Sequence, residues 1–189
     1  MNQRCSWCLA TPEYIAYHDT EWGVPNHDDT KHFEFLILES AQAGLSWLTV
    51  LKKRDGYRAA FANFDAKKVA QFTDTTLEQL MSNPNIIRNR QKISAAINNA
   101  QKFLEVQREF GSFDSYIWSF VEGKQLVHFP QTLQEIPATS PESDALSKDL
   151  KSRGFKFVGS TIMYAHMQAM GLYDDHMVGC FRKTAIHQQ

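Results

Sequence analysis

Polar and apolar positions along this chain repeat with helical rather than strand periodicity. The densest apolar stretch is Phe33-Glu34-Phe35-Leu36-Ile37-Leu38. Wound as a helix, its apolar side chains point in nearly every direction, which predicts a buried helix rather than one with a wet face. Asp28-Asp29 supplies its N-cap. The helix runs into Glu39-Ser40-Ala41-Gln42-Ala43-Gly44-Leu45-Ser46-Trp47. Gly44 is placed to end it, and Ser46 to cap a next helix that starts at Trp47. That helix is expected to reach about Phe61, with Lys52, Lys53, Arg54 and Arg58 on its exposed side. Upstream, residues 12–25 read as a short helix and a loop. Downstream, Asp65 is expected to cap a short helix over 66–71, and Asp74 or Thr75 one over 76–82. Asn83-Pro84-Asn85 breaks the pattern. Ile93, Ile97, Ala100 and Leu104 then recur at helical spacing, which predicts a long amphipathic helix from Ile86 to Glu109 closed by Gly111. A helix over 113–120 carries Trp118, and 121–140 is loop-like. Ser140-Pro141 opens a helix that ends at Arg153-Gly154, and a last helix spans roughly Ser160 to Met170. There is no repeat, no low-complexity tract and no convincing strand. The predicted fold class is all-α.

Composition narrows the picture. The chain has 189 residues, 43% of them hydrophobic, enough for one compact domain or two closely joined lobes. The net charge is −1, so no global positive field announces a nucleic-acid partner, and any such site must arise from local clustering. No apolar run is long enough to cross a bilayer, and Met1-Asn2-Gln3-Arg4-Cys5 carries no signal-peptide pattern. Three cysteines argue against a disulfide framework and fit a reducing cytoplasm.

Three constellations carry candidate chemistry. Glu39 arrives near the end of a helix that avoids water, so its carboxyl must find donors or a cation, or stay protonated. The rings of Trp7, Tyr14, Tyr17, Trp22 and Trp47 beside it suit a planar cationic ligand, each cation–π contact contributing roughly 0.5–2 kcal/mol. A tryptophan-rich core is the plainer alternative. Second, Cys5 and His18 form C-x12-H, and His176 and Cys180 form H-x3-C. Two thiolates and two imidazoles would close a tetrahedral zinc site tying the two chain ends together. Cys8 makes C-x2-C with Cys5 and is a rival ligand; a buried thiol with two unrelated histidines is the bland alternative. Third, Gly154 and Gly159 bracket a turn between two helices. Gly159-Ser160-Thr161 opens the second helix, where free N–H groups favour a phosphate. Lys148, Lys151, Arg153 and Lys156 surround the turn. An ordinary helix–helix turn with solvated lysines is the competing reading.

Taken together, Tyr17-His18-Asp19 with Glu21-Trp22-Gly23, Gln42-Ala43-Gly44-Leu45-Ser46-Trp47, Ile86-Ile87-Arg88-Asn89-Arg90 and Gly154-Phe155-Lys156-Phe157-Val158-Gly159 resemble the 3-methyladenine DNA glycosylase I family. The resemblance runs in order from Cys5 to Cys180. It implies a helix-hairpin-helix glycosylase fold, a single domain over 1–189 of two packed helical lobes, with the hairpin at 154–161. It implies a structural Zn2+ on Cys5, His18, His176 and Cys180. It implies a base pocket of Glu39, Tyr17 and Trp47 with Trp7, Tyr14 and Trp22 as its aromatic wall, and DNA-phosphate contacts at Gly154, Lys156, Gly159, Ser160 and Thr161. The implied reaction is excision of 3-methyladenine from double-stranded alkylated DNA by a monomeric cytoplasmic enzyme. Glu39 would be its catalytic carboxylate. The free base and an abasic site would be the products.

A damaged cationic base is cheap to extrude, and Leu45, at the exposed tip of the corner, is expected to wedge into the vacated stack. No lysine falls in the pocket motifs, so base release without strand cleavage is expected. Asp174 sits where some glycosylases of this superfamily carry a catalytic aspartate. It reads either as a stabiliser of an oxocarbenium-like sugar or, preferably, as a solvated loop acid. The competing functional classes are a non-catalytic damage binder with the same pocket and a small-molecule purine binder, which would leave the basic hairpin unexplained. Acceptance of 3-methylguanine, the role of Cys8 and that of the tail Arg182 to Gln189 do not follow from the sequence.

Overall fold

The structure, a computed structural model, describes residues 3–183. Met1, Asn2 and residues 184–189, which include most of the C-terminal tail, lie outside the described residues. Among the described residues the helices are α1 (Pro12–Thr20), α2 (Asp29–Gln42), α3 (Trp47–Leu51), α4 (Arg54–Ala60), α5 (Ala66–Val69), α6 (Asp74–Ser82), α7 (Arg90–Phe110), α8 (Phe113–Trp118), α9 (Pro141–Ser152) and α10 (Ser160–Ala169). The predominantly helical class is as the periodicity predicts. The expectation of no strand needs one correction. Two-residue segments β1 (Leu126–Val127) and β2 (Tyr173–Asp174) pair in parallel, Leu126 opposite Tyr173. Such a short bridge leaves no alternation to read in the sequence.

α2 is the central helix. It contacts α3, α4, α7, α8 and α10, and every residue from His32 to Ala41 is buried. Its omnidirectional apolar pattern is explained by neighbours on all sides. Asp28 caps its start by accepting from Thr30 N at 2.8 Å. At its end, Lys92 Nζ donates to the carbonyls of Ala41 at 2.9 Å and Ala43 at 2.5 Å, satisfying carbonyls that the helix leaves open. Gly44 then turns the chain at φ +78°, a conformation in which a Cβ would clash with its own backbone. Ser46 caps α3 through Thr49 N at 3.2 Å.

Several boundaries depart from expectation. The helix expected over 47–61 is two, α3 and α4, broken at Lys52-Lys53. The break swings Arg54 inward. Its guanidinium pairs with both oxygens of Glu21 at 2.7 Å and with Glu34 at 2.8 Å, so it is not on an exposed face. Gly56 packs against Asn85, whose carbonyl oxygen would lie 2.2 Å from any added Cβ. The long helix begins at Arg90, not Ile86, because Asn89 caps it by accepting from Lys92 N at 3.1 Å. Ile86 is buried ahead of it. Thr73, rather than Asp74 or Thr75, caps α6.

The turn between α9 and α10 is held from three sides. Buried Asn99 on α7 donates to Lys156 O and accepts from Lys156 N, both at 2.8 Å. Ser147 donates to Val158 O at 2.7 Å, and Ser40 of α2 to Phe157 O at 3.2 Å. Phe155 and Val158 anchor the turn in the core. Asn99→Ala strands both backbone groups of Lys156 and is expected to cost about 1–3 kcal/mol. A lower urea midpoint with unchanged slope would show it; an unchanged midpoint would mean that packing of Phe155 and Val158 alone holds the turn.

Candidate active site

A cavity of about 210 Å³ opens where α1, the end of α2, the start of α3 and α10 meet. Trp7, Tyr14, Tyr17, Trp22, Glu39 and Trp47, the aromatic set and acid singled out in the sequence, all line it. Trp7 packs edge-on against Tyr14 at 5.1 Å and Trp22 at 4.9 Å between ring centroids. Tyr17 and Trp47 lie 5.4 Å apart with planes tilted by 52°. Trp47 Nε1 is buried and has no partner among the described residues.

Glu39 is 4% exposed, and no described group hydrogen-bonds its carboxyl. Burial pushes its pKa up to about 8, because the charged form loses hydration with nothing to replace it. Tyr17 is likewise pushed well above its ordinary value, chiefly by burial and next by the Glu39 charge. The cavity therefore holds an acid whose neutral form burial favours near neutral pH.

Residues far apart in sequence complete the walls: Gln42, Leu133, Ile136, Ala165 and Gln168. Gln42 lies within the corner stretch but was not among the expected pocket residues. The others carried no signal, since they are ordinary residue types in a loop and on the last helix. Leu45 stands at the tip of the α2–α3 corner, 41% exposed. It is outside the cavity lining.

A second cluster lies behind the aromatic wall. The donor atoms of Cys5, His18 and Cys180 are within 4.8 Å of one another, and Cys180 Sγ is 3.4 Å from His18 Nε2. The His176 ring stands 5.0 Å from that of His18, and its Nε2 is buried without a partner. Both imidazoles are oriented from outside. His18 Nδ1 bonds Asp19 at 2.8 Å and His176 Nδ1 bonds Asp174 at 2.9 Å, which leaves Nε2 of each ring as its candidate ligand atom. The Cys5 thiol bonds Cys180, which favours the Cys180 thiolate and pushes Cys5 upward. Cys5, His18 and Cys180 form a donor set that could hold a metal ion; His176, the fourth expected ligand, stands beside this group and is not part of it. Cys8, the rival, instead donates to Cys5 O at 3.1 Å and is not in the cluster. Gly23 makes room for His176, whose Cε1 would lie 2.8 Å from a Cβ there.

Asp174 is not the solvated loop acid expected. It is 3% exposed and outside the cavity lining. Burial alone would raise its pKa, but hydrogen bonds from His176 and the Lys183 charge outweigh that and hold it low. Its position on β2, bridged to the 126–127 segment, put it out of reach of sequence reasoning.

At the hairpin, Lys156 and Thr161 are exposed and Gly154, Gly159 and Ser160 half-buried. Gly154 takes φ +90°. Gly159 caps α10 without a side-chain bond, so the first N–H groups of the helix are available. Ser160 Oγ bonds Ser143 at 2.9 Å and also Asp144. Lys148, Lys151 and Lys156 are exposed. Arg153 is not a free cation: it pairs with Asp149 at 2.6 Å and Glu109 at 2.7 Å.

Known proteins resemble this chain in sequence and in fold. A sequence model of methyladenine glycosylase matches residues 7–183. DNA-3-methyladenine glycosylase 1 of Escherichia coli (strain K12) is 53% identical over 178 residues, covering 94% of this chain and 95% of that protein. A crystal structure of 3-methyladenine DNA glycosylase I has a TM-score of 0.93 at 52% identity, covering 95% of this chain and 99% of that one. A structure addressing 3-methyladenine recognition by the Staphylococcus aureus glycosylase I has a TM-score of 0.92 at 40% identity, covering 96% of each chain. With a cavity of this chemistry and likeness over nearly its whole length, the chain belongs to the methyladenine glycosylase family.

Proposed function

We propose that this protein excises 3-methyladenine from alkylated double-stranded DNA, hydrolysing the N-glycosidic bond and leaving an abasic site. The observation that carries this reading is the unpartnered, buried carboxyl of Glu39 facing an aromatic cavity. A neutral purine gives such a group little reason to ionise. A methylated purine cation supplies the missing charge, and Tyr17 and Trp47 supply faces to stack on. In the reaction the electron pair of the bond to C1′ returns to the ring and neutralises it, while water adds at C1′ and gives up one proton to solvent, leaving the hydroxyl of the abasic site. The departing base is neutral, so its hold on Glu39 weakens and the product can leave. The charge match at Glu39 supplies capture of and discrimination for the cationic base, whose own charge already weakens the bond to C1′, with Trp7, Tyr14 and Trp22 keeping water out of the base slot. Among the described residues no lysine lines the cavity, which supports base release without a covalent sugar intermediate or strand cleavage.

The turn 154–161 would act as the hairpin of a helix-hairpin-helix element, with Gly154, Lys156, Gly159, Ser160 and Thr161 against a DNA phosphate. Such contacts position the duplex without reading it. Cys5, His18, His176 and Cys180 would hold a structural Zn2+. A closed set of four protein ligands leaves no position for a reacting water, so the metal's contribution is to tie the chain ends. Three buried free cysteines suit a reducing cytoplasm, and no helix among the described residues is long and apolar enough to cross a membrane. A monomer suffices, since one chain supplies every group named.

The central test is chromatography of free bases released from methylated DNA by the wild type and Glu39→Gln. Release of 3-methyladenine by the wild type, and a fall of at least about 100-fold in the variant, are expected, since a lost charge-assisted partner in a dry site is worth several kcal/mol. No release by the wild type would leave only a damage binder. The pH dependence follows from the raised pKa. Glu39 is protonated below about pH 8, and its ionisation weakens the fold as pH rises through that value. Since kcat/KM reports groups of the free enzyme, it is expected to rise between pH 6 and 8 and then level off, a rise that Glu39→Gln abolishes.

Leu45→Ala is expected to weaken binding to abasic-site DNA about ten-fold, the scale of one buried leucine. Fluorescence anisotropy would measure it, and equal affinities would end the wedge assignment. Prolonged chelation is expected to lower Tm by several degrees and to release about one zinc per chain; a chain free of zinc as purified and as stable as after zinc addition would count against the metal.

A further inference from the structure

Gln168, on α10, lines the cavity. Its Nε2 donates to Asp175 Oδ2 at 2.7 Å. Asp175 is 1% exposed and receives two more donors. The Tyr164 hydroxyl donates to the same oxygen at 2.6 Å, and His128 Nδ1 meets the other at 2.7 Å. With three donors converging on it, Asp175 acts as an acceptor. An amide has one donating end and one accepting end, so Gln168 must turn its NH2 group toward Asp175 and its carbonyl away from it. That carbonyl oxygen accepts no hydrogen bond from any described group. A side chain on the cavity wall is thus held with its acceptor end unused and unable to exchange ends.

We infer that the Gln168 carbonyl, fixed in orientation by Asp175, reads the substituent at position 6 of the bound purine, favouring an amino group over an oxo group. The inference rests on the glycosylase reading above and adds a second acceptor to Glu39. Position 6 of 3-methyladenine carries N–H donors. Position 6 of a 6-oxo purine such as 3-methylguanine carries an acceptor. A locked acceptor gains a hydrogen bond from the first and faces an oxygen lone pair in the second, so selection includes a repulsive element. A free glutamine would not discriminate, because it could rotate and offer NH2 instead. Asp175 is therefore a positioning residue, and Gln168 the group that meets the ligand. Tyr164 belongs to the same device, since its hydroxyl occupies the oxygen that also takes the amide.

The test compares two free bases differing only at position 6, 3-methyladenine and 3-methylhypoxanthine, by quenching of the cavity tryptophans in the full-length protein. Gln168→Met keeps side-chain length and apolar contact but removes the amide. The wild type is expected to prefer 3-methyladenine. Gln168→Met should reduce that preference about ten-fold, the scale of one hydrogen bond to a charged or strongly polarised group, through weaker 3-methyladenine binding. Asp175→Asn releases the amide and should raise affinity for 3-methylhypoxanthine while lowering that for 3-methyladenine, a crossing of effects that loss of structure cannot produce. Should Asp175→Asn fail to fold, Gln168→Met decides alone. Parallel weakening of both ligands, or an unchanged preference in Gln168→Met, overturns the inference. The free-base release assay on methylated DNA stands apart from this one. A wild type that releases 3-methyladenine while Gln168→Met keeps its preference would retain the glycosylase reading and discard the role of Gln168.

Discussion

The rest of the structure depends on an acid kept out of water without a partner. Glu39 sits in the last turn of α2, surrounded by rings, and no described donor reaches it. Its ionisation is opposed by burial, and the negative end of the helix dipole acts in the same direction. An unpaired polar group of this kind costs stability, so the surrounding fold must hold it in place. α2 does so by being wrapped by five other helices. Its C-terminal carbonyls are held by Lys92, so the last turn cannot fray and let the carboxyl swing out. The cost of the site lies in desolvation, and in the proposed reading a ligand that carries the opposite charge relieves it.

Adjacent residues couple the cavity to the sulfur–nitrogen cluster. On α1, Tyr17 faces the cavity while its neighbour His18 joins the cluster. In the C-terminal segment, Asp175 bonds the cavity residue Gln168 while its neighbour His176 stands beside His18. Trp22 lines the cavity and packs 4.7 Å from the His176 ring. Whatever fixes the cluster therefore fixes the position of one stacking ring and one polar wall. A metal there would do more than prevent fraying: it would set the register of two chain segments, one lining the cavity through Trp7, Tyr14, Tyr17 and Trp22 and the other bracing Gln168 through Asp175.

How much of this was legible follows from what each feature asks of the sequence. The buried helix, its caps at Asp28 and Ser46, and the turn at Gly44 were readable because local chemistry decides them. The six residues that line the cavity were singled out as well, but from the rings and the acid alone a tryptophan-rich core was the plainer reading, and the family resemblance is what pointed to a pocket. The break at Lys52-Lys53 was not readable, because tertiary contacts cause it: Arg54 is drawn to Glu21 and Glu34, and Asn85 must pass close to Gly56. The start of α7 moved by four residues because Asn89, one of several polar candidates, takes the cap. The far wall of the cavity escaped because Leu133, Ile136, Ala165 and Gln168 are ordinary residues brought in by the parallel β1–β2 bridge and the packing of α10. Asp174 was misjudged for a related reason: an acid in a loop is usually wet, and only the fold shows that it braces a buried imidazole.

The charge distribution bears on how such a protein meets DNA at all. With a net charge of −1, long-range attraction to a polyanion is weak, and several cations are neutralised at home. Arg54 is bound by Glu21 and Glu34, and Arg153 by Asp149 and Glu109. Arg90 pairs with Glu78. What remains near the α9–α10 turn is a set of exposed lysines and the open N–H groups of α10. In the proposed reading, contact there rests on short-range geometry rather than on a global field, so it should release few counterions and depend only modestly on salt. That fits an enzyme whose discrimination lies in a charged base rather than in the backbone. A strong field would hold the protein on undamaged duplex, whereas a weak grip lets it leave wherever no cationic base enters the cavity. Selectivity then resides at Glu39, which a neutral base leaves protonated and a methylated one ionises.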